Sequence, residues 1–173
     1  DRFEIIGVAV KVNDEETEWF SGSMQETKDW LSQFPWAESA AVAHNMMFDG
    51  AILGWRLGIH PMALLDTLAM ARAVDGSELP NSLAKLAERY GLGVKGTEVV
   101  LALGKRRRDF DSMSLAKYGE YCVNDVDLTY DLLQCLLKGF PQIELRLIDL
   151  TIKMYSEPVL VLDKVALTEH LTA

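Results

Sequence analysis

Cysteine is nearly missing from this chain: Cys122 and Cys135 are the only two in 173 residues. Both fall in one helical pattern, so no disulfide framework can be built from them. They read as reduced, buried thiols of a cytosolic protein. Long apolar runs are lacking too, and none approaches the roughly 18 residues that a membrane-spanning helix needs. The first residues, Asp1-Arg2-Phe3-Glu4, lack the charged-then-apolar layout of a signal peptide. Positive charge is in deficit, with 17 Lys and Arg against 26 Asp and Glu and a formal net charge of −9. Passive binding of nucleic acid is built on counterions that basic side chains release from phosphates, so this balance argues against a passive binder. It does not exclude a nuclease that meets phosphates through metal ions, because carboxylates are then the ligands. Internal repeats and low-complexity segments are absent. What is present is an ordinary globular composition, 49% hydrophobic and 25% charged, which provides a core for one domain with at most a short appendage.

Phe3 to Val12 is rich in β-formers and ends in the turn signal Asn13-Asp14. Glu16 to Phe20 follows as a second strand, predicting an antiparallel hairpin. Met24 to Phe34 has helical spacing, with Ser23 and Glu26 set as a capping box, and Pro35 closes it. Glu38 to Ala43 is a short buried strand. A helix from about Phe48 to Leu57, capped by Gly58, leads past Pro61 to a strand at Ala63-Leu64-Leu65. Helices are predicted over Leu68–Val74, Leu83–Tyr90, Ser112 or Ser114 to Leu137, and Ile143–Met154, with a last helical piece from Lys164. Thr97 to Leu103 reads as loop and short helix. Strands first with helices interleaved afterwards predict a mixed α/β sheet flanked by helices.

Two polar pairs stand out. In Ala43-His44-Asn45-Met46-Met47-Phe48-Asp49-Gly50, Asn45 and Asp49 are four residues apart where a buried strand hands over to a helix, which puts them on one face. In the long helix, Tyr121 and Asp125 have the same spacing on a face that is otherwise apolar through Leu128 and Leu132. Asp127 and Asp131 are expected on a solvated face. Each residue also has a plain reading. Asp49 alone is a helix N-terminal carboxylate, Tyr121 alone a half-buried core tyrosine, and Asp66 a cap on the helix that follows it. His44 packs as a neighbour, while His60 and His170 lie in turn-like or exposed contexts. Lys105-Arg106-Arg107-Arg108 is a solvated patch or a means of steering a strand backbone. Trp19, Trp30, Trp36 and Trp55 are core or edge packing.

Asn45-x-x-Phe48-Asp49 and Tyr121-x-x-x-Asp125 resemble the second and third motifs of the 3′–5′ exonucleases that carry four acidic residues and a tyrosine (the DEDDy group). Asp66-Thr67-Leu68 and Ser82-Leu83-Ala84-Lys85-Leu86-Ala87-Glu88-Arg89-Tyr90 resemble the sequence linking those motifs in the proofreading domain of family A DNA polymerases. The match in order and spacing extends over residues 3 to 137, and together the short motifs are specific. The segments Glu144–Met154 and Glu157–Asp163 resemble the connection into a polymerase region, with phage-type polymerases as the nearest in character.

The resemblance implies a ribonuclease H-like fold, with an exonuclease domain over 1–137 and a helical connection toward a polymerase region over 138–173. It implies two-metal-ion hydrolysis of 3′-terminal nucleotides from single-stranded DNA. Asp49 and Asp125 would be metal ligands, Tyr121 would orient the attacking water, and Asn45 and Phe48 would touch the terminal nucleotide. Hard oxygen ligation suits Mg²⁺ or Mn²⁺. The expected location is the cytoplasm, that of a host if the parent is phage-encoded, with no membrane partner. One departure stands against the pattern. The family's first motif is Asp-x-Glu on the first strand, whereas Glu4-Ile5-Ile6-Gly7-Val8-Ala9 matches the family's second strand, so the chain is expected to begin after that motif and to lack the first, central strand. Two carboxylates are too few ligands to hold two divalent ions, and the expected activity of the chain alone is weak or nil. Two further functions stay open: a silent exonuclease-like module that positions DNA, and a ribonuclease that trims RNA 3′ ends.

Overall fold

A computed structural model describes residues 3–96, 102, 104–157 and 159–172. The N-terminal hairpin forms as the alternation requires. Strand β1 (Val8–Val10) pairs antiparallel with β2 (Glu18–Phe20), Ala9 opposite Trp19, and the turn uses Asn13 at φ 50°. The strands are shorter than the β-rich runs that contain them. Helix α1 (Met24–Leu31) begins with the expected capping box, Ser23 accepting from the Glu26 N–H and Glu26 accepting from the Ser23 N–H. An aromatic row of Phe20, Trp30, Phe34 and Trp36, with centroids 5.1–5.9 Å apart, fastens α1 to the hairpin.

After a 3₁₀ turn at Trp36–Glu38, strand β3 (Ala40–Ala43) pairs in parallel with β4 (Ala63–Asp66), Ala43 opposite Asp66. The crossover between them is helix α2 (Met46–Ala51), which widens into a π-helix at Ile52–Leu57 and ends at Gly58. The helix therefore starts earlier than its apolar spacing indicated, because Asn45 already turns the chain. Helices α3 (Thr67–Asp75), α4 (Leu83–Tyr90) and α5 (Ser112–Leu136) follow. The cap of α5 is Asp111, which accepts from the Ser114 N–H, so the helix opens at Ser112. Helices α6 (Gln142–Ser156) and α7 (Lys164–Thr172) complete the described chain. The predicted loop and helix over 97–103 lies, apart from Ala102, outside the described residues.

The main core is the seam where α3 and α4 pack on α5, with Met70, Leu86 and Leu132 fully buried. A second cluster joins Met46, Leu64 and Ile152, binding α2 and β4 to α6. Close approach of α6 depends on Gly54 in the widened turn, since a Cβ there would lie 2.6 Å from the Ser156 carbonyl oxygen. The buried flank of α5 meets the hairpin in the same way, with Gly119 leaving room for Trp19. The architecture is mixed α/β, as its pattern predicts. Among the described residues the strands form two separate two-stranded ladders, β1–β2 and β3–β4, and both pack against α5. No helix among them is long and apolar enough to cross a membrane.

Candidate active site

The site is assembled at the C-terminal ends of β3 and β4, with α5 facing them. Leaving β3, Asn45 adopts the left-handed conformation (φ 74°, ψ 55°), which asparagine tolerates better than most residues. Its N–H turns inward and donates to Asp66 Oδ1 at 2.9 Å. The same oxygen accepts from the Leu68 N–H at 2.8 Å, so Asp66 is the cap of α3 that the sequence indicated and also a tie between the two strand ends. Asn45's own side chain makes no cap bond to α2 and is exposed, and Phe48, 62% exposed, projects from the first turn of the helix.

Asp49 is set one turn into α2. Burial, with the Asp66 carboxylate nearby, pushes its carboxyl up to about 6. His44 hydrogen-bonds Thr67 Oγ1 at 3.0 Å and the Asn81 carbonyl at 3.1 Å, and its burial lowers its pKa. It packs rather than projecting as a ligand. The charges of Asp66, Lys95 and Asp125 all reach it, whereas the charge that reaches Asp49 is that of Asp66.

On α5, Tyr121 is buried and Asp125 stands one turn further on. Burial and the hydrogen bond to Asp125 raise the Tyr121 pKa, keeping it a neutral phenol. Burial, then the Asp125 charge, pushes the Cys122 thiol up to about 12, so it is an unreactive thiol. The Asp125 Oδ1 atom is buried without a hydrogen-bond partner. Its other oxygen is ion-paired with Lys95, whose ammonium also donates to Tyr121 Oη at 2.8 Å and lies 4.8 Å from the Tyr121 ring centroid.

A family model described as 3′–5′ exonuclease matches residues 6–140. The chain belongs to the 3′–5′ exonuclease family of family A DNA polymerases. No curated protein and no solved structure matches it. Exonucleases of this kind typically depend on metal ions, and the donor chemistry fits them: Asp49 and Asp125 offer oxygens, and an orphaned buried carboxylate oxygen is an atom in want of a cation. The number of donors is short. Among the described residues no group of three or more His, Cys, Asp or Glu side chains is gathered closely enough to hold a metal ion.

Lys95 escaped the sequence reading. Its signal was faint, a lysine in a glycine-broken segment (Gly91, Gly93, Gly96) of a strongly acidic chain. Two expectations change. Asp127 is not simply solvated, because α5 turns that side chain to the hairpin, where it accepts from Thr17 Oγ1 at 2.5 Å and pairs with Lys11 at 3.2 Å. The basic run is not one solvated patch. Arg107 donates to Ser21 Oγ at 3.1 Å, Arg106 lies 3.5 Å from Glu4, and Lys105 lies over Phe110, while Arg108 remains exposed.

Proposed function

We propose that the chain is the proofreading domain of a DNA polymerase, removing 3′-terminal nucleotides from single-stranded DNA. The observation that carries this reading is the buried, unpartnered Asp125 Oδ1 beside the neutral phenol of Tyr121. Asp49 and Asp125 would hold Mg²⁺ or Mn²⁺, which when bound supply a water ionisable near neutral pH and charge for the leaving oxygen. Tyr121 orients the attacking water through its hydroxyl, since a phenol held neutral is a hydrogen-bond partner and not a base. Asn45, exposed in its left-handed turn, hydrogen-bonds the terminal nucleotide, and Phe48 packs on its sugar or base. Asp66 contacts no substrate and keeps the turn that aims Asn45.

Two carboxylates are too few for two ions. With these two alone the chain has weak activity or none. The partner is then the polymerase region of the same parent, reached through residues 138–173, in the cytoplasm. A second reading, a silent module that positions DNA, draws on the Lys95–Asp125 ion pair, which already neutralises one carboxylate. Incubating 5′-labelled DNA and RNA oligonucleotides of one sequence with Mg²⁺ and the parent protein separates the readings. Stepwise shortening of the DNA is expected; preferential shortening of the RNA means a trimming ribonuclease, and no shortening of either means the silent module.

A further inference from the structure

We propose that the recess between His44 and Arg72 is a phosphate subsite, holding one phosphodiester of the single strand upstream of the nucleotide that meets Asn45. This rests on the single-strand reading above. The recess has a volume of about 260 Å³, and His44, Leu68, Arg72, Ser77 and Ser82 are on its lining. It opens beside the turn that presents Asn45. Leu68 donates its N–H to the same Asp66 oxygen that receives the Asn45 N–H. Arg72 follows one turn later on the same face of α3, roughly 6 Å further along the helix.

The loop that closes the recess is pinned. Asn81 Nδ2 donates to the Gly76 carbonyl at 2.9 Å, and His44 bonds the Asn81 carbonyl at 3.1 Å. Arg89 donates to the Pro80 carbonyl at 2.8 Å and to Asn81 Oδ1 at 3.3 Å. Asp75, the carboxylate three residues beyond Arg72, is engaged by Arg89 at 2.6 Å and by the Tyr90 hydroxyl at 3.0 Å. The Arg72 side chain makes no ion pair or hydrogen bond with a described residue, in a chain whose net charge is −9. Ser82 Oγ accepts from the Lys85 N–H at 3.4 Å, so its own proton is free to donate. His44, its pKa lowered by burial, adds no charge at neutral pH. No carboxylate lines the recess, so a cation finds no anionic ligand there. A forked guanidinium with hydroxyl donors beside it instead suits the two free oxygens of a phosphodiester. Such a contact fixes the register of the strand and carries no base preference.

Fluorescence anisotropy of a 5′-labelled oligothymidylate in EDTA tests this on the full chain. Wild type is compared with Arg72→Ala, Arg72→Lys and Arg146→Ala, the last removing an exposed arginine of α6. Arg72→Ala should raise Kd about five- to tenfold and flatten the salt dependence by roughly 0.7 in log–log slope, one phosphate contact on a single strand. Arg72→Lys should restore the slope and only part of the affinity, since the charge returns without the fork. Arg146→Ala should match wild type. Replacing each phosphodiester in turn by a neutral methylphosphonate locates the contact. At one linkage near the 3′ end wild type should lose affinity, and Arg72→Ala should lose no more. An Arg72→Ala Kd within about twofold of wild type at an unchanged salt slope, or losses that add at every linkage, overturns the subsite and leaves the single-strand reading standing. No binding by wild type overturns both.

Discussion

The N–H of Asn45 donates to Asp66 Oδ1 at 2.9 Å, joining the end of β3 to the end of β4 through one side-chain oxygen. That oxygen also caps α3, so the turn that presents Asn45 and the helix that backs it share one anchor. Asp66→Ala removes a cap and leaves the Asn45 N–H without its acceptor, a loss of about 2 kcal/mol. Urea denaturation should show that loss, with the m-value unchanged. Asp66→Asn keeps an oxygen at the cap and should recover most of it.

Asp49 carries a stability cost that has a definite pH signature. Its carboxyl titrates near 4 in the unfolded chain and near 6 in the fold. Between those values the native state holds a proton that the unfolded state has lost, so this residue's contribution to stability falls as pH rises from about 4 to 6 and stays low above. Asp49→Asn should therefore stabilise the metal-free protein by about 1–2 kcal/mol at pH 7.5. The gain should vanish at pH 4. Thermal unfolding in EDTA across that range checks both the size and the sign.

Gly54 is the test of how α6 is held. The Cβ of an alanine there would lie 2.6 Å from the Ser156 carbonyl oxygen, and backbone cannot rotate away as a side chain can. Gly54→Ala should cost about 1–3 kcal/mol despite alanine's better helix propensity. Gly139→Ala, where a Cβ meets nothing within 4 Å, controls for a steric effect. Its strain comes from φ +80° alone.

Local signals told most of the fold. The capping box at Ser23, the stop at Gly91 and the apolar stripe of α5 are short-range features, and each element they mark is present. The pairing of Tyr121 with Asp125 was legible for the same reason, since helix geometry alone puts such a spacing side by side, whereas Asn45 stands outside α2 in a left-handed turn. What the sequence could not reveal was set by tertiary contact. Lys95 reaches Asp125 across 30 positions, and Asp127 finds Thr17 across 110. Asp66 looked like a cap and is one, yet nothing local showed that its oxygen also receives Asn45 from the neighbouring strand.

The central claim is that Asp49 and Asp125 face each other in one phosphodiester-cleaving site. The most direct measurement is the release of single nucleotides from 5′-labelled single-stranded DNA in Mg²⁺ by a polymerase that carries this domain. Asp49→Ala and Asp125→Ala should each lower the rate at least about a thousandfold, the scale of losing a catalytic metal ligand, with circular dichroism unchanged. Rates within a factor of about two of wild type in either variant would contradict the assignment. Robust Mg²⁺-dependent release by residues 1–173 alone would contradict the account of a site short of carboxylates.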